Sequence, residues 1–538
     1  MEENSQNSYQ LKPKSEDAEL NLLSEDRINF KLSLRKRKYD EILAKKRNIP
    51  QKPISSSRPY ELFISKLILP PNAKQIFSKE DELISTALES MKSNEINIVL
   101  YGVCLIKNYL DNFLDDPSIL NKLNLNFVSD MLNLLEKWCE KKEFKIIYNV
   151  LHILTNYSYL NENKLITKIL LSSKGYKVWE LCFNLENYEI MSQMMYLLHN
   201  ITYKDNESTY NFAKSNFFRN KIFNFYNNPI IIKHMNEKNT ENIFYIIIQS
   251  GLGLFSNLIS IKFPSTFDKM ERNKLVVPVF ELILKYSQSN TEKIYHSCIY
   301  AISLAIDEDF DLVNKIDNSY NNSINIISDI LDKKFFSNDN LVLYANRILG
   351  NYISTKSGLS EDFYNRCIEY EFDVFFGNKL NSAIRETFWV LSNILYDYPK
   401  AGFIICFNES FVSKTFQKYQ NPVDYDELYN IAYFLNCLIY KCGIDNFIKL
   451  QEKGIVDITL NYTKITFNGP KTLITIFALI ESLLHIGDTV RDNFNGKNKI
   501  KEKCDEYGLD EILEKYEDSR IVELFDIINN IKKNYYNE

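Results

Sequence analysis

Glycine and proline are scarce in this chain: 14 and 13 of 538 residues, together about 5% against a typical ~12%. So little turn punctuation disfavours β-sandwiches, barrels and Pro/Gly-rich disordered chains, and favours long runs of helix. The nine cysteines form no CxxC pair and have no His partner at zinc-finger spacing. They read as small apolar side chains of a reduced intracellular protein, with no metal site. The five histidines (His152, His199, His234, His296 and His485) fall mostly inside apolar helical runs, and there is no Gly-rich phosphate loop, HExxH or GxSxG. Neither an enzyme nor a cofactor is therefore expected. Met1 to Glu25 is polar and acidic, so no signal peptide is expected either. The most apolar segment, Ile243 to Ile261, is interrupted by Gln249, Ser250, Ser256 and Asn257. A lone transmembrane helix needs ~20 mostly apolar residues, so this reads as a buried helix of a soluble protein without membrane insertion.

What is present is length for several domains of ~100–200 residues and an uneven charge. From Arg27 to Arg47, nine basic residues face only Asp40 and Glu41, a net +7 that leaves −13 for the rest of a chain totalling −6. A basic arm on an acidic body binds an acidic partner or folds back on its own body, the plain alternative being a solvated tail that aids solubility. The body would repel phosphates at long range, so no nucleic-acid partner is expected. Leu32, Leu34, Tyr39, Ile42 and Leu43 are interleaved with the charges before Pro50, which suits an amphipathic helix that forms on meeting a partner. Gln51 to Tyr60 is Ser/Pro-rich and reads as a linker.

From about Leu62 apolar helical segments alternate with short polar connections, and one pattern recurs: an apolar helix carrying an Asn four residues after a bulky position. It stands at His152-Ile-Leu-Thr-Asn156, Tyr196-Leu-Leu-His-Asn200, Gly253-Leu-Phe-Ser-Asn257, Arg347-Ile-Leu-Gly-Asn351, Trp389-Val-Leu-Ser-Asn393 and Ala432-Tyr-Phe-Leu-Asn436, with Tyr300-Ala-Ile-Ser-Leu304 in the same frame. Successive spacings are 44, 57, 47, 47, 42 and 43 residues. Apart from the step that spans an insertion-like Phe217 to Asn242, these lie at or near the ~40–47 of armadillo and HEAT arrays.

These residues resemble a family. The arm Leu34-Arg-Lys-Arg-Lys-Tyr-Asp-Glu-Ile-Leu-Ala-Lys-Lys-Arg-Asn-Ile49 is similar to the importin-β-binding segment of importin-α (karyopherin-α), the nuclear-import adaptor. Arg347 to Asn351 resembles the family's sixth armadillo repeat, Arg385-Glu-Thr-Phe-Trp-Val-Leu-Ser-Asn393 its seventh, and Glu506 to Tyr516 with Ile521 to Ile531 its last. The resemblance implies an all-α, right-handed superhelical solenoid of about ten armadillo repeats with a largely disordered basic N-terminal arm. Its parts would be an importin-β-binding and autoinhibitory arm at 1–50, a linker at 51–60, repeats one to nine at 61–498 and a C-terminal repeat at 499–538. The first repeat (about Ala73 to Asp115) and the ninth (about Gly454 to Asp488) match mainly by position.

The implied function is import of proteins bearing Lys/Arg-rich nuclear localisation signals, with shuttling between cytoplasm and nucleus. Importin-β would take the arm through Arg35, Lys36, Arg37, Lys38, Lys45, Lys46 and Arg47, and a nuclear export receptor would meet the last repeat. The chemistry suits the residues. Asn amides offer donor and acceptor to an extended peptide backbone, aromatic rings wall in Lys or Arg stems, and carboxylates favour the cationic heads. The second groove site would use Asn351, Glu386, Trp389, Asn393 and Asn436, the first His152, Asn156, Tyr196, Asn200 and Asn257. Against this stand core packing for the Trp and capping for the Asn residues.

The first site departs from the family pattern. His152, Tyr196 and Gly253 stand at its Trp positions, and Lys204 stands where an acid is expected, with Asp205 next. In the second, Ala432 replaces the next Trp. Cargo binding is thus expected to lean on the second site or to take a divergent set of cargoes. The rival reading is an armadillo scaffold or chaperone-like adaptor without a transport cycle.

Overall fold

The computed structural model describes residues 80–536 apart from 113–122, 124, 161–162, 235–242, 262–268, 290, 310, 319–322, 357, 466, 468–469, 492–495 and 517–518. The arm and linker expected at 1–60 lie outside the described residues. Among those described, regular structure is helical throughout.

Helices come in triplets of the armadillo kind, in which three helices make one repeat. One triplet is Lys164–Leu170, Ser173–Asn184 and Tyr188–Thr202; another is Ala401–Phe407, Glu409–Gln420 and Tyr425–Ile439. Capping side chains set the boundaries. Asn163 accepts from the Leu165 amide, Ser172 from Gly175, Asn187 from Glu189 and Ile190, Asn408 from Phe411 and Asp424 from Glu427. Each satisfies an amide that has no partner within the first helical turn. Asn163, Asn187 and Asn408 thus mark helix beginnings. The six motif asparagines do not, because each lies within the body of a helix.

The third helices, numbered here α1 to α10, carry the stack. The chain divides into two compact units, 1–276 and 277–538. In the first, α1 (Ile96–Asn112), α2 (Phe144–Leu160), α3 (Tyr188–Thr202) and α4 (Ile243–Ile259) pack each on the next in chain order. In the second, α5 (Glu292–Glu308), α6 (Asp339–Thr355), α7 (Asn381–Asp397), α8 (Tyr425–Ile439), α9 (Pro470–Thr489) and α10 (Val522–Tyr535) do the same. Neighbour-on-neighbour packing of this kind defines a quasi-one-dimensional repeat array. Helix α9 is long and apolar enough to cross a membrane, but it packs between α8 and α10 with most of its apolar window buried, as a core helix does.

The sequence between α3 and α4 stretches the repeat. There Asn206–Lys214 is followed by a π-helical stretch, Phe218–Phe223, and by short helices at Asn224–Tyr226 and Pro229–His234. Aromatic rings weld it together: Phe218 meets Phe212 and Phe255, and Tyr226 meets Phe225 and Phe255. The Tyr226 hydroxyl donates to the Ile247 carbonyl at 2.7 Å, tying the extra residues to α4. Two of the three tryptophans, Trp138 and Trp179, are fully buried core residues, and most of the cysteines are buried thiols.

Candidate functional site

In the second unit the motif residues of α6, α7 and α8 fall on consecutive packed helices. Trp389 is half-buried on α7, and its ring lies against Gly350 of α6. The fit is close: a methyl group at position 350 would meet Trp389 Cζ3 at 1.7 Å. Four residues on, Asn393 donates Nδ2 to the Gly350 carbonyl at 3.1 Å. Ring and amide of one helical face therefore straddle the same glycine of the preceding repeat, as i and i+4 positions allow. Gly350 is where the absence of a Cβ matters most to the site.

Beside this pair, Arg347 Nε lies 3.2 Å from Glu386 Oε1, with Arg347 almost wholly buried. The carboxylate foreseen as a receiver of cationic heads is thus met by a cation of the chain itself. Asn351 is fully buried and donates Nδ2 to Asp307 Oδ1 of α5 at 2.6 Å. Asn436 on α8 is half-buried, and its buried Oδ1 has no hydrogen-bond partner among the described residues. Ala432, one turn before it, is fully buried, so this position offers no ring.

In the first unit the arrangement centres on Asp111 of α1. His152 Nε2 lies 3.1 Å from Asp111 Oδ1, and Asn156 Nδ2 donates to the same oxygen at 2.6 Å. Lys107 Nζ approaches Asp111 Oδ2 at 3.4 Å. Burial works to raise the Asp111 carboxyl, but the His152 hydrogen bond and charge, with Lys107, outweigh it and hold the group below its ordinary value. Tyr196 and Asn200 are both nearly buried on α3. Asn257 donates Nδ2 to the His199 carbonyl at 2.8 Å and approaches Thr202 Oγ1 at 3.0 Å.

Gly253, at a position where the resemblance implies a Trp, lies against the His199 ring, and an added Cβ would come within 2.5 Å of it. The neighbouring helix thus supplies a ring where this one has none. Lys204, where the resemblance implies an acid, donates Nζ to the Ser158 carbonyl near the end of α2. Asp205 faces its own backbone: its Oδ2 accepts from the Ser208 amide at 3.1 Å and the Ser208 hydroxyl at 2.6 Å, capping Asn206–Lys214.

The structure brings into view two carboxylates that the sequence reading passed over. Asp111 precedes Asn156 by 45 residues and Asp307 precedes Asn351 by 44, and each accepts that Asn's amide from the neighbouring third helix. An acid one repeat-length before a motif Asn was the available signal. Four of the six motif asparagines thus donate to the preceding third helix, so the amide row joins repeats as well as marking a face. The basic residues Arg35 to Lys38 and Lys45 to Arg47 lie outside the described residues.

Comparison with protein-family models gave no match, and neither did comparison with curated proteins. Among solved structures, one from work on a phosphorylation switch controlling the interaction between cadherin and β-catenin is similar, with a TM-score of 0.46 and 10% sequence identity. The match covers 77% of this chain and 88% of that one, and is too slight to bear on function.

Proposed function

We propose that this chain is a protein-binding adaptor that takes an extended Lys/Arg-rich segment along the asparagine-bearing face of its third helices. Its primary pocket would lie on α6 to α8. The observation that carries the reading is the Trp389–Asn393 pair: a half-buried ring with a buried amide one turn away, seated across Gly350. A ring of this kind offers a wall to an aliphatic stem and a π-face to its cation, worth roughly 0.5–2 kcal/mol per contact. Several such modest contacts along a row of helices give selectivity without one dominant pocket.

The finer reading rests on the resemblance and on the +7 arm. The bound segments would be nuclear localisation signals, the arm would engage importin-β through Lys45, Lys46 and Arg47 among others, and the protein would shuttle between cytoplasm and nucleus. When importin-β is absent, the arm would compete in cis for the face at a high effective concentration. A scaffold without a transport cycle is the second reading, and the arm separates the two because a scaffold has no use for it.

Two measurements test this. Fluorescence anisotropy of a labelled basic peptide should show a larger loss of affinity for Asn393→Ala than for Asn200→Ala; the opposite order would displace the pocket from α7. Residues 1–55 should capture importin-β in a pull-down, and a chain starting at Ser57 should bind the peptide more tightly than the full chain. No capture and equal affinity would leave the scaffold reading.

A further inference from the structure

The row of rings in the second unit does not stop at Trp389. Two third helices earlier, Tyr300 stands on α5 in the frame that Trp389 occupies on α7, and it is 36% exposed. Tyr344 on α6, one turn before Arg347, is half-buried. The two rings meet across the helix pair with centroids 4.9 Å apart and planes at 57°. That separation lies in the range at which aromatic pairs attract. The tilt leaves a corner rather than a closed stack.

Seven residues on along each helix stand Asp307 and Asn351, joined by a hydrogen bond of 2.6 Å. Corner and carboxylate therefore share one seam between α5 and α6, two turns apart. Arg347, the cation of this stretch, is almost wholly buried and committed to Glu386. His296 lies one turn before Tyr300, and burial holds its imidazole below the ordinary value against the opposing effect of Glu292. It is therefore mostly neutral at pH 7 and does not oppose a positive guest. The asparagine-bearing face also runs unbroken here: Asn351 donates to Asp307 of α5, and Asn393 to Gly350 of α6.

Resting on the basic-segment reading above, we propose that Tyr300 and Tyr344 form a second cation pocket, which takes a Lys or Arg of the same bound segment about five or six residues from the one at Trp389. The spacing follows from the array. Packed helices lie ~8–10 Å apart, so α5 and α7 are about 16–20 Å apart, with α6 packed between them. An extended segment advances ~3.4 Å per residue, and about five or six residues cover that distance. The ring corner would hold the aliphatic stem and offer π-faces to its cation.

Fluorescence anisotropy on the full chain with labelled synthetic peptides tests this. One peptide carries a single Lys-Lys-Arg cluster. A second adds an Arg about five residues away, made once on each side of the cluster. A third adds the same Arg directly beside the cluster, matching the second in charge. One version of the spaced peptide should bind about three- to thirtyfold tighter than the single-cluster and adjacent-Arg peptides, the gain expected of one cation–π contact. Tyr300→Leu and Tyr344→Leu, which keep apolar bulk without a π-face, should each bring the spaced peptide back to the level of the adjacent-Arg one, whereas Tyr300→Phe should retain the gain. Trp389→Leu should weaken the single-cluster peptide. If it does not, the basic-segment reading is overturned and this pocket with it. If Trp389 matters but neither spaced peptide gains, or the gain survives both leucine changes, the pocket alone is overturned. Should a variant not fold, the wild-type ranking of the peptides decides.

Discussion

Trp389 rests on Gly350 of the preceding repeat, close enough that no side chain fits between ring and backbone. Changing Gly350 to Ala should therefore push the ring off its seat. Overpacking of this kind costs ~1–3 kcal/mol, which urea unfolding should register. The same variant should lose affinity for a basic peptide, because the wall it would pack against has moved. Unchanged stability would mean that the ring has room to slide.

Asn351 and Asp307 share a charge-assisted hydrogen bond between two third helices, with the Asn fully buried. Removing either partner takes this bond from the other, at a cost of ~1–3 kcal/mol. A double-mutant cycle of Asn351→Ala and Asp307→Ala should return a coupling energy well above the scatter of additive sites. Additive losses would show that this amide does not join the repeats.

Glu371 makes the second unit sensitive to alkali. The side chain is fully buried, with Asn346 Nδ2 3.2 Å from its Oε2. Burial pushes its carboxyl up to about 8, against a hydrogen bond from Thr387 that favours the ionised form. A raised folded-state value means that the native protein holds the proton more tightly than the unfolded chain does. The stabilisation is complete below the ordinary carboxylate range and is lost as pH rises through about 8. Glu371→Gln should match wild type in thermal melting near pH 5 and exceed it at pH 8 and above, by an amount on the order of a few kcal/mol. Parallel pH profiles would contradict the assignment.

His199 acts in the opposite direction in the first unit. Burial pushes its imidazole down to about 4, so the folded protein keeps it neutral while the unfolded chain protonates it at about 6.5. Its stabilising share is present above that unfolded value and is lost as pH falls through about 4. His199→Phe, which keeps a ring near Gly253, should flatten the acid limb of stability between pH 6.5 and pH 4. Denaturant midpoints measured across that range provide the check.

The array itself was legible because its cause is local. Apolar periodicity and a spacing near 44 residues placed the third helices, and the motif asparagines do fall on packed neighbours within each unit. What was not legible came from contacts one repeat away. Gly253 looked like a lost wall, yet the His199 ring lies against it from the helix before. Glu386 looked free for a ligand, and Arg347, thirty-nine residues earlier, meets it. Asp111 and Asp307 drew no attention because an acid in the last turn of an apolar helix reads as solvated. Asp205 is a different case: with Ser208 three residues on, it carries a capping pattern that the sequence displayed and the functional argument passed over.

The ammonium of Lys204 reaches the Ser158 carbonyl, where α2 finishes. Whatever strand approaches that stretch of the first unit meets a positive head already installed by the protein. A guest lysine there must evict a resident with the advantage of covalent attachment, whereas a neutral or acidic guest side chain meets a complementary host. On the proposed reading, the two units would therefore differ in the sign of the residue they welcome as well as in the strength of their hold.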